Sequence, residues 1–325
     1  MRLTHRLAWI TIAAAGAACF AQEANDAGGM GFARADAPIR LEGPRPFLQP
    51  EATKTQESGP DAKAADAGGA QAAPQRSADD IAKALANPIA NLISVPLQFN
   101  TDFGSGSDGD GVRTTLNIQP VIPFDISDEW LGISRTILPV IYQNADASAF
   151  TSDDTFGLGD TVQSLFLSPK TNSKLTWGVG PVVYIPTATD DVLGADQWGL
   201  GPTAVALVAD GKWTYGMLAN HIWSIGETQD YDSFDVDRPR INATFLQPFA
   251  SYNIGDGWSA TINTETTYDW EAEEWTVPIN LMGSKVVRIG DQTVSFSLGY
   301  RQYVAAPDGA PDWGLRLNIT LVFPR

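Results

Sequence analysis

The sequence predicts an all-β protein: a transmembrane antiparallel up-and-down β-barrel of about 12 strands, preceded by a disordered N-terminal segment and a short helix. Three observations support this fold class. Apolar and polar side chains alternate along many segments, the connections alternate between long and short, and tryptophans stand at segment ends. No run of about 18 apolar residues follows the N-terminal region, so no membrane-spanning helix is expected there.

Residues 1–21 are predicted to be a secretory signal peptide. Arg2 and Arg6 precede the apolar run LAWITIAAAGAACF, and small residues lead up to an expected cleavage site before Gln22. Acylation of Cys19, as in a lipoprotein, is the alternative, although a glycine occupies the position where a larger aliphatic residue is expected. Together with the strand pattern, the signal predicts export to the outer membrane of a Gram-negative cell.

Residues 22–76 are predicted to form a disordered tether, because stretches such as ESGPDAKAADAGGAQAAPQ contain too little apolar surface to offset the entropy of ordering. A short helix is predicted within residues 77–94. Ser77 and Asp80 have the spacing of a capping box, and apolar residues after them share one helical face. This segment is predicted either to lie at the membrane edge or to enter the pore as a plug.

Residues 95–325 are predicted to be the barrel. This part of the chain divides into twelve apolar-rich segments, each long enough for a tilted strand to cross a bilayer, which takes about nine to eleven residues. The predicted strands are 95–103, 112–124, 130–142, 155–167, 174–186, 197–208, 212–225, 241–254, 257–269, 274–288, 292–303 and 312–324.

Apolar and polar residues alternate most regularly in the last segment, DWGLRLNITLVFPR, where only Val322 breaks the pattern. Because strand side chains point to opposite faces in turn, this segment has one apolar and one polar face. In GWSATINTETTYDW the alternation turns Glu265 inward and Thr266 outward, and in TVSFSLGYRQY it turns Arg301 inward and Val294 outward. The third, fourth and eighth segments give no clear faces.

The connections and the tryptophans favour a membrane barrel over a soluble sandwich. Every odd connection is longer than the even one after it; GETQDYDSFDVDRPR, for example, precedes IGDG. Outer-membrane barrels have long outer loops, short periplasmic turns and an even strand number. An amphipathic ring at a segment end suits the membrane interface. The tryptophans in such positions are Trp130, Trp177, Trp198, Trp213, Trp223, Trp258, Trp270, Trp275 and Trp313.

Prolines inside the predicted strands argue against the barrel. Proline removes a ladder hydrogen bond, and a closed barrel has no free edge at which the loss would be harmless. The prolines concerned are Pro120, Pro139, Pro181, Pro202, Pro248 and Pro278.

The same part of the chain resembles a family of Gram-negative outer-membrane transporters that is linked by name to the meta-cleavage pathway of phenol degradation. The resemblance covers residues 87–325 and rests on stretches such as NPIANLISVPLQFN, TLNIQPVIPF, WGVGPVVYIPTAT, WGLGPTAVAL, NTETTYDWE and PDWGLRL. It implies a barrel and a transport role for small molecules, aromatic ones among them. No functional residue is carried over from the family.

Composition limits the partners. The formal net charge of −17 disfavours nucleic acid, and Cys19, the single cysteine, allows neither an intramolecular disulfide nor a zinc site. No cofactor, metal or catalytic residue is predicted. The expected partners are outer-membrane lipid and lipopolysaccharide, a small-molecule solute and the barrel-assembly machinery.

Passage of small solutes through the barrel is the leading function, with a charged constriction in the outer half of the lumen. Arg113, Arg301 and Arg316 are predicted to form it, facing Glu265, because alternation turns all four away from lipid, where an arginine at mid-depth costs about 2 to 4 kcal/mol. The alternative role for these residues is a salt-bridged network that only stiffens the wall.

Two other functions are open. An adhesive or structural barrel could bind divalent cations through acidic residues at its predicted outer loops, among them Asp102. A lipid hydrolase would need a serine activated by a histidine. After the signal the chain contains one histidine, His221, and no GxSxG motif, and its neighbours Asn220 and Ser224 do not make a triad by adjacency alone.

Overall fold

The computed structural model describes residues 76–147, 153–171, 173–227 and 240–323. The predicted signal peptide and, apart from Arg76, the predicted tether lie outside these residues. Helix α1 spans Ala78–Leu85. The strand segments are β1 Ile93–Ser105, β2 Gly111–Ile118, β3 Val121–Asp125, β4 Trp130–Gln143, β5 Thr155–Leu158, β6 Thr161–Pro169, β7 Leu175–Ile185, β8 Gln197–Asp210, β9 Trp213–Glu227, β10 Asn242–Gly255, β11 Trp258–Thr264, β12 Thr266–Asp269, β13 Glu274–Ile289, β14 Gln292–Ala305 and β15 Trp313–Phe323.

The strands form one closed antiparallel barrel. β2 and β3, β5 and β6, and β11 and β12 each make a single interrupted crossing, so the fifteen segments form twelve crossings. These correspond one to one to the twelve predicted strands. The first strand pairs with the last, from Ile93 opposite Phe323 to Phe103 opposite Trp313. The predicted fold class is therefore confirmed. We call the rim with Ile93 and Phe323 the inner rim and the opposite one the outer rim.

The barrel is apolar outside, and the strands from β13 through β15 to β1 are polar inside. On β14 and β15 the outward side chains of Leu298 and Leu315 are 67% and 47% exposed, whereas the inward Arg316 is 2% exposed. Asn280 and Asn100 are inward and buried as well. A soluble sandwich has the opposite arrangement, with its apolar face buried. Most of the tryptophans predicted at the membrane interface are exposed on the outer face.

Two residues predicted to face outward have little exposed surface. Val294 lies between Val287 of β13 and Leu321 of β15 in the two neighbouring ladders, and these side chains cover it. Thr266 follows the interruption at Glu265, and its hydroxyl is hydrogen-bonded to that of Thr264 rather than exposed. Both residues keep the predicted parity, because Val294 shares its face with the exposed Phe296 and Leu298, and Thr266 lies between Glu265 and Thr267, which both line the lumen.

Each interruption of a crossing lies opposite a proline. The amide of Gln119 donates to the Pro96 carbonyl at 2.9 Å, and the amide of Gly159 donates to that of Pro139 at 2.9 Å. The amide of Glu265 approaches the Pro278 carbonyl at 3.4 Å. Proline has no N–H to return the second ladder bond, so regular pairing stops there.

The remaining strand prolines follow a different pattern. Pro120 lies within the first interruption, and Pro181 of β7 lies directly opposite Pro202 of β8. The ladders on the far sides of this pair are interrupted too: β6–β7 pairing skips from Val182 to Val179, and β8–β9 pairing skips from Leu200 to Thr203. Pro248 lies opposite Met217 in the ladder with β9, and on its other side the pairing of β10 skips from Leu246, opposite β12, to Phe249, opposite β11.

Helix α1 begins with the predicted capping box. The Ser77 side chain accepts from the Asp80 amide, and the Asp80 side chain accepts from the Ser77 amide. Hydrogen bonds from Ser77 also hold the pKa of the Asp80 carboxyl below its ordinary value. Among the described residues, no helix is long and apolar enough to cross a membrane.

The segment from α1 to β1 closes over the inner rim. The Asp79 carboxylate accepts from the Gly257 amide at 2.6 Å, in the turn between β10 and β11. Ile81, Ala82, Ala90 and Leu92 form an apolar cluster with barrel residues Val286 and Val322. Ile89, 2% exposed, enters the lumen and packs against inward residues such as Ile133, Phe166 and Leu218.

Candidate functional site

A charged cluster occupies the lumen toward the outer rim. Glu265 accepts two bonds from Arg316, at 2.8 Å from Nη1 and 2.7 Å from Nη2, and one from Arg301 Nη2 at 3.0 Å. These side chains are 15%, 3% and 7% exposed. A bidentate guanidinium–carboxylate pair with this geometry is a strong, charge-assisted interaction. The structure thus brings three of the four predicted site residues into direct contact.

The strands explain why these three residues meet. Glu265 lies in the interruption opposite Pro278, between β11 and β12. Arg316 on β15 lies opposite Gly299, and Arg301 on β14 lies opposite Gly314. At Gly314, an added Cβ would collide with the Asp102 carboxylate, so the absence of a side chain there makes room for the ion pair.

Asp102 and Arg113 form the other side of the cluster. Asp102, predicted at a strand end that borders an outer loop, lies within β1, is 6% exposed and approaches Arg301 Nη1 at 3.5 Å. That placement removes it from the predicted cation-binding loops. Arg113 of β2 lies opposite Asp102 in the ladder. Arg113, the fourth predicted residue, therefore neighbours the cluster through Asp102.

A chain of hydrogen bonds links this cluster to Arg135, which the sequence analysis missed. Arg316 Nε donates to Asn100 at 2.6 Å, Gln98 joins Asn100 to Gln119, and Arg135 Nη2 donates to Gln119 at 3.1 Å. Arg135 is on β4, whose inward face also carries Ile133 and Ile141, so the polarity alternation was ambiguous there. The rule that a mid-strand arginine avoids lipid would have placed it inward.

Two cavities lie along the lumen. The outer cavity has a volume of about 180 Å³, and three guanidinium groups and two carboxylates line it: those of Arg113, Arg135, Arg301, Asp102 and Glu265. The inner cavity, about 240 Å³, lies between the barrel wall and the segment after α1. Gln119, Arg135 and Gln247 line both cavities and so mark their junction.

The outer cavity has two chemically different walls. The charged residues project from β1, β2, β4, β14 and the β11–β12 crossing, and most of the amide residues lie beside them, apart from Asn220 on β9 and Gln247 on β10. The facing wall, from β6 to β10, is largely apolar and includes Val162, Tyr184, Ile222, Ile241 and Phe245. The lumen is amphipathic at this level.

Asp160 fixes the connection between β7 and β8 at the outer rim. Its fully buried carboxylate accepts from Tyr184 Oη at 3.0 Å and from the amides of Thr187 at 3.0 Å, Ala188 at 3.0 Å and Ala195 at 2.6 Å. Further along this connection, Leu193 packs against Ile141. The connection is therefore folded against the barrel and holds Tyr184 at the outer cavity.

His221 lies on the outer face of β9, away from the lumen. Its neighbours Asn220 and Ile222 line the outer cavity, whereas its ring is 4.1 Å from that of Trp223 and its Nδ1 is 2.7 Å from Thr244 Oγ1. No serine hydroxyl of the described chain is hydrogen-bonded to His221. Within the same residues, no group of three His, Cys, Asp or Glu side chains is placed to hold a metal ion.

Comparison with solved structures supports the fold. An outer membrane channel from Pseudomonas putida F1 aligns with a TM-score of 0.56 and 18% identity, over 71% of this chain and 96% of that one. The NanC porin aligns at 0.44 and 14%, over 72% and 100%. Outer membrane phospholipase A from Escherichia coli aligns at 0.41 and 12%, over 75% and 98%. At 18% identity the first similarity shows the fold alone, and we draw nothing from the other two because their TM-scores are lower.

No family model matches the chain, and no curated protein matches it. The resemblance to the phenol-pathway transporter family therefore stays a prediction.

Proposed function

We propose that this chain is an outer-membrane channel that passes small solutes through the barrel lumen. The observation that carries the proposal is the pair of cavities along the lumen, which share the polar residues Gln119, Arg135 and Gln247. The apolar outer face suits lipid and lipopolysaccharide, and insertion would use the barrel-assembly machinery. The resemblance noted above extends the proposed solutes to aromatic or hydrophobic compounds.

The charged cluster is proposed to act as a constriction that selects by charge. Guanidinium groups outnumber carboxylates around the outer cavity, which favours anions there. The contacts of Glu265 with Arg301 and Arg316 equally suit a network that only stiffens the wall. Ion selectivity separates the two roles, because only a group on the path of the ions changes it.

Planar-bilayer recordings test the proposal. The refolded full chain should give discrete conductance steps, and under a KCl gradient the reversal potential should indicate an anion preference. Glu265→Gln should increase that preference, and Arg301→Ala or Arg316→Ala should shift it toward cations. If these variants kept the same ion selectivity but melted at a lower temperature, only the stiffening role of the cluster would remain. If the full chain gave no conductance step, the channel proposal would be contradicted.

We further propose that the chain is not an enzyme. His221 faces outward and is hydrogen-bonded to a threonine hydroxyl, whereas the nearby Ser224 hydroxyl donates to Gln197 and accepts from the Ile241 amide. An esterase assay on purified protein tests this. Turnover that is lost in His221→Ala would overturn it.

A further inference from the structure

Among the guanidinium groups of the outer cavity, that of Arg135 shares the space with a hydrocarbon surface. Arg135 is half-buried on β4 at the junction of the two cavities. The wall from β6 to β10 presents Val162, Ile222 and Phe245 to the same space. A solute inside would therefore meet a charged group on one side and aliphatic and aromatic carbon on the other.

The charge of Arg135 is not neutralised by an ion pair. Its Nη2 donates to the neutral side-chain oxygen of Gln119 at 3.1 Å. Among the described residues it forms no salt bridge, in contrast to Arg301 and Arg316, which hold Glu265. A guanidinium has five N–H donors in a fixed fork that matches a carboxylate, so Arg135 retains donors for an incoming anion.

The size of the cavity limits the volume of the apolar part of that anion. An apolar cavity of about 150 Å³ holds one benzene molecule. The outer cavity, at about 180 Å³, has room for one ring or a branched chain of similar bulk, together with its carboxylate.

We propose that the outer cavity is a binding site for organic monocarboxylates with a compact apolar body, with the carboxylate on Arg135 and the body against Ile222 and Phe245. This proposal rests on the proposed function, because it names the class of solute that the channel favours. It also makes Arg135 a specificity-determining residue, beyond the predicted cluster at Glu265.

Equilibrium binding of benzoate to the full chain in lipid nanodiscs tests the site without requiring any current. Benzoate should bind about tenfold or more tightly than either acetate, which lacks the body, or benzyl alcohol, which lacks the charge. Equal binding of acetate and benzoate, or of benzyl alcohol and benzoate, would overturn the proposal. If the chain conducts but does not discriminate among these ligands, the channel proposal stands and the binding-site proposal falls. If it discriminates but does not conduct, the binding site stands and the channel falls.

Single substitutions test which wall binds the carboxylate and which binds the apolar body. Arg135→Gln should weaken benzoate binding about tenfold, and Arg135→Lys should recover part of it, because the charge returns without the fork. Ile222→Thr, which stays branched but replaces the ethyl group with a hydroxyl, should weaken benzoate binding and leave acetate binding unchanged. Arg240→Gln removes an equal charge from an exposed position outside the cavity lining and should have no effect. Benzoate affinity unchanged in both Arg135→Gln and Ile222→Thr would overturn the site.

Discussion

At the scale of single residues, buried carboxylates position the elements around them. Asp160 and Glu265 both lie in interruptions of the barrel wall and both accept several hydrogen bonds. Asp160 is satisfied mainly by backbone amides, and Glu265 by two arginines. A buried carboxylate is tolerated only with such partners, so each acid ties together the elements that supply its donors.

Asp160→Asn should loosen the connection between β7 and β8. The amide side chain keeps one acceptor oxygen and turns an NH₂ group toward backbone donors, so local stability should fall by about 1.5 to 3 kcal/mol. Limited proteolysis within residues 186–196 measures the effect. The control is Asp190→Asn, whose carboxylate accepts from the Val192 amide alone in this connection. Equal cleavage rates in the two variants would contradict the role of Asp160.

Arg316→Gln should destabilise the barrel by about 3 to 5 kcal/mol, because it leaves the buried Glu265 with one guanidinium partner. Adding Glu265→Gln should recover part of the loss, since the uncompensated charge is then gone. Urea unfolding in detergent measures both. Lys170→Gln breaks the exposed pair with Asp125 and should change stability by no more than about 1 kcal/mol. If Arg316→Gln lowered the free energy of unfolding as little as Lys170→Gln does, the proposed role of the Arg316–Glu265 pair would be contradicted.

The alternation of polarity was enough to predict that Glu265, Arg301 and Arg316 share the lumen, because their strands have regular faces. It could not place Arg135, because its strand carries apolar residues on both faces. It also could not show that Asp102 pairs with Arg301, since the contact depends on closure between β1 and β15. Contacts between distant segments depend on the pairing register of the strands, which cannot be read from a single sequence.

At the scale of elements, strand prolines mark the interruptions of the barrel wall. Pro96, Pro139 and Pro278 each face a break, and the breaks contain inward polar side chains, those of Gln119, Asp160 and Glu265. Strand number and approximate bounds were predictable from pattern and loop length. The breaks were not, because they depend on which residue lies opposite each proline.

The segment between α1 and β1 is expected to restrict the pore. Ile89→Ala removes its apolar contact with the lumen wall, which for such a truncation costs about 2 to 5 kcal/mol. The single-channel conductance of Ile89→Ala should therefore rise toward that of a chain lacking residues 77–94. Ile254→Ala, an outward and exposed position, is the matched control. Conductance and stability unchanged on deletion of 77–94 would contradict a plug.

At the scale of the whole molecule, closure is what makes an exposed apolar surface compatible with lipid. An open edge would leave backbone groups without partners in a medium that supplies none. Pairing of β1 with β15 satisfies them, and the short turns at the inner rim return both strand ends to one side. Closure also brings Asn100 of β1 to Arg316 of β15, so the barrel and its charged cluster form together.

Cysteine crosslinking should confirm the closing register. Leu97→Cys with Ile319→Cys places two thiols directly opposite each other, and oxidation should join them. Leu97→Cys with Leu315→Cys is the control, because Leu315 lies opposite Thr101 instead. Crosslinking of the control pair at the same yield would contradict the register.

The most direct measurement of the central claim modifies a lumen residue while current is recorded. Thr115→Cys lines the outer cavity, and its neighbour Leu116→Cys lies on the other face of β2. A sulfonate-bearing methanethiosulfonate reagent should lower the single-channel conductance of Thr115→Cys and leave Leu116→Cys and the parent chain unchanged. Complete labelling of Thr115→Cys, shown by mass, with an unchanged conductance would mean that the current does not pass through the lumen.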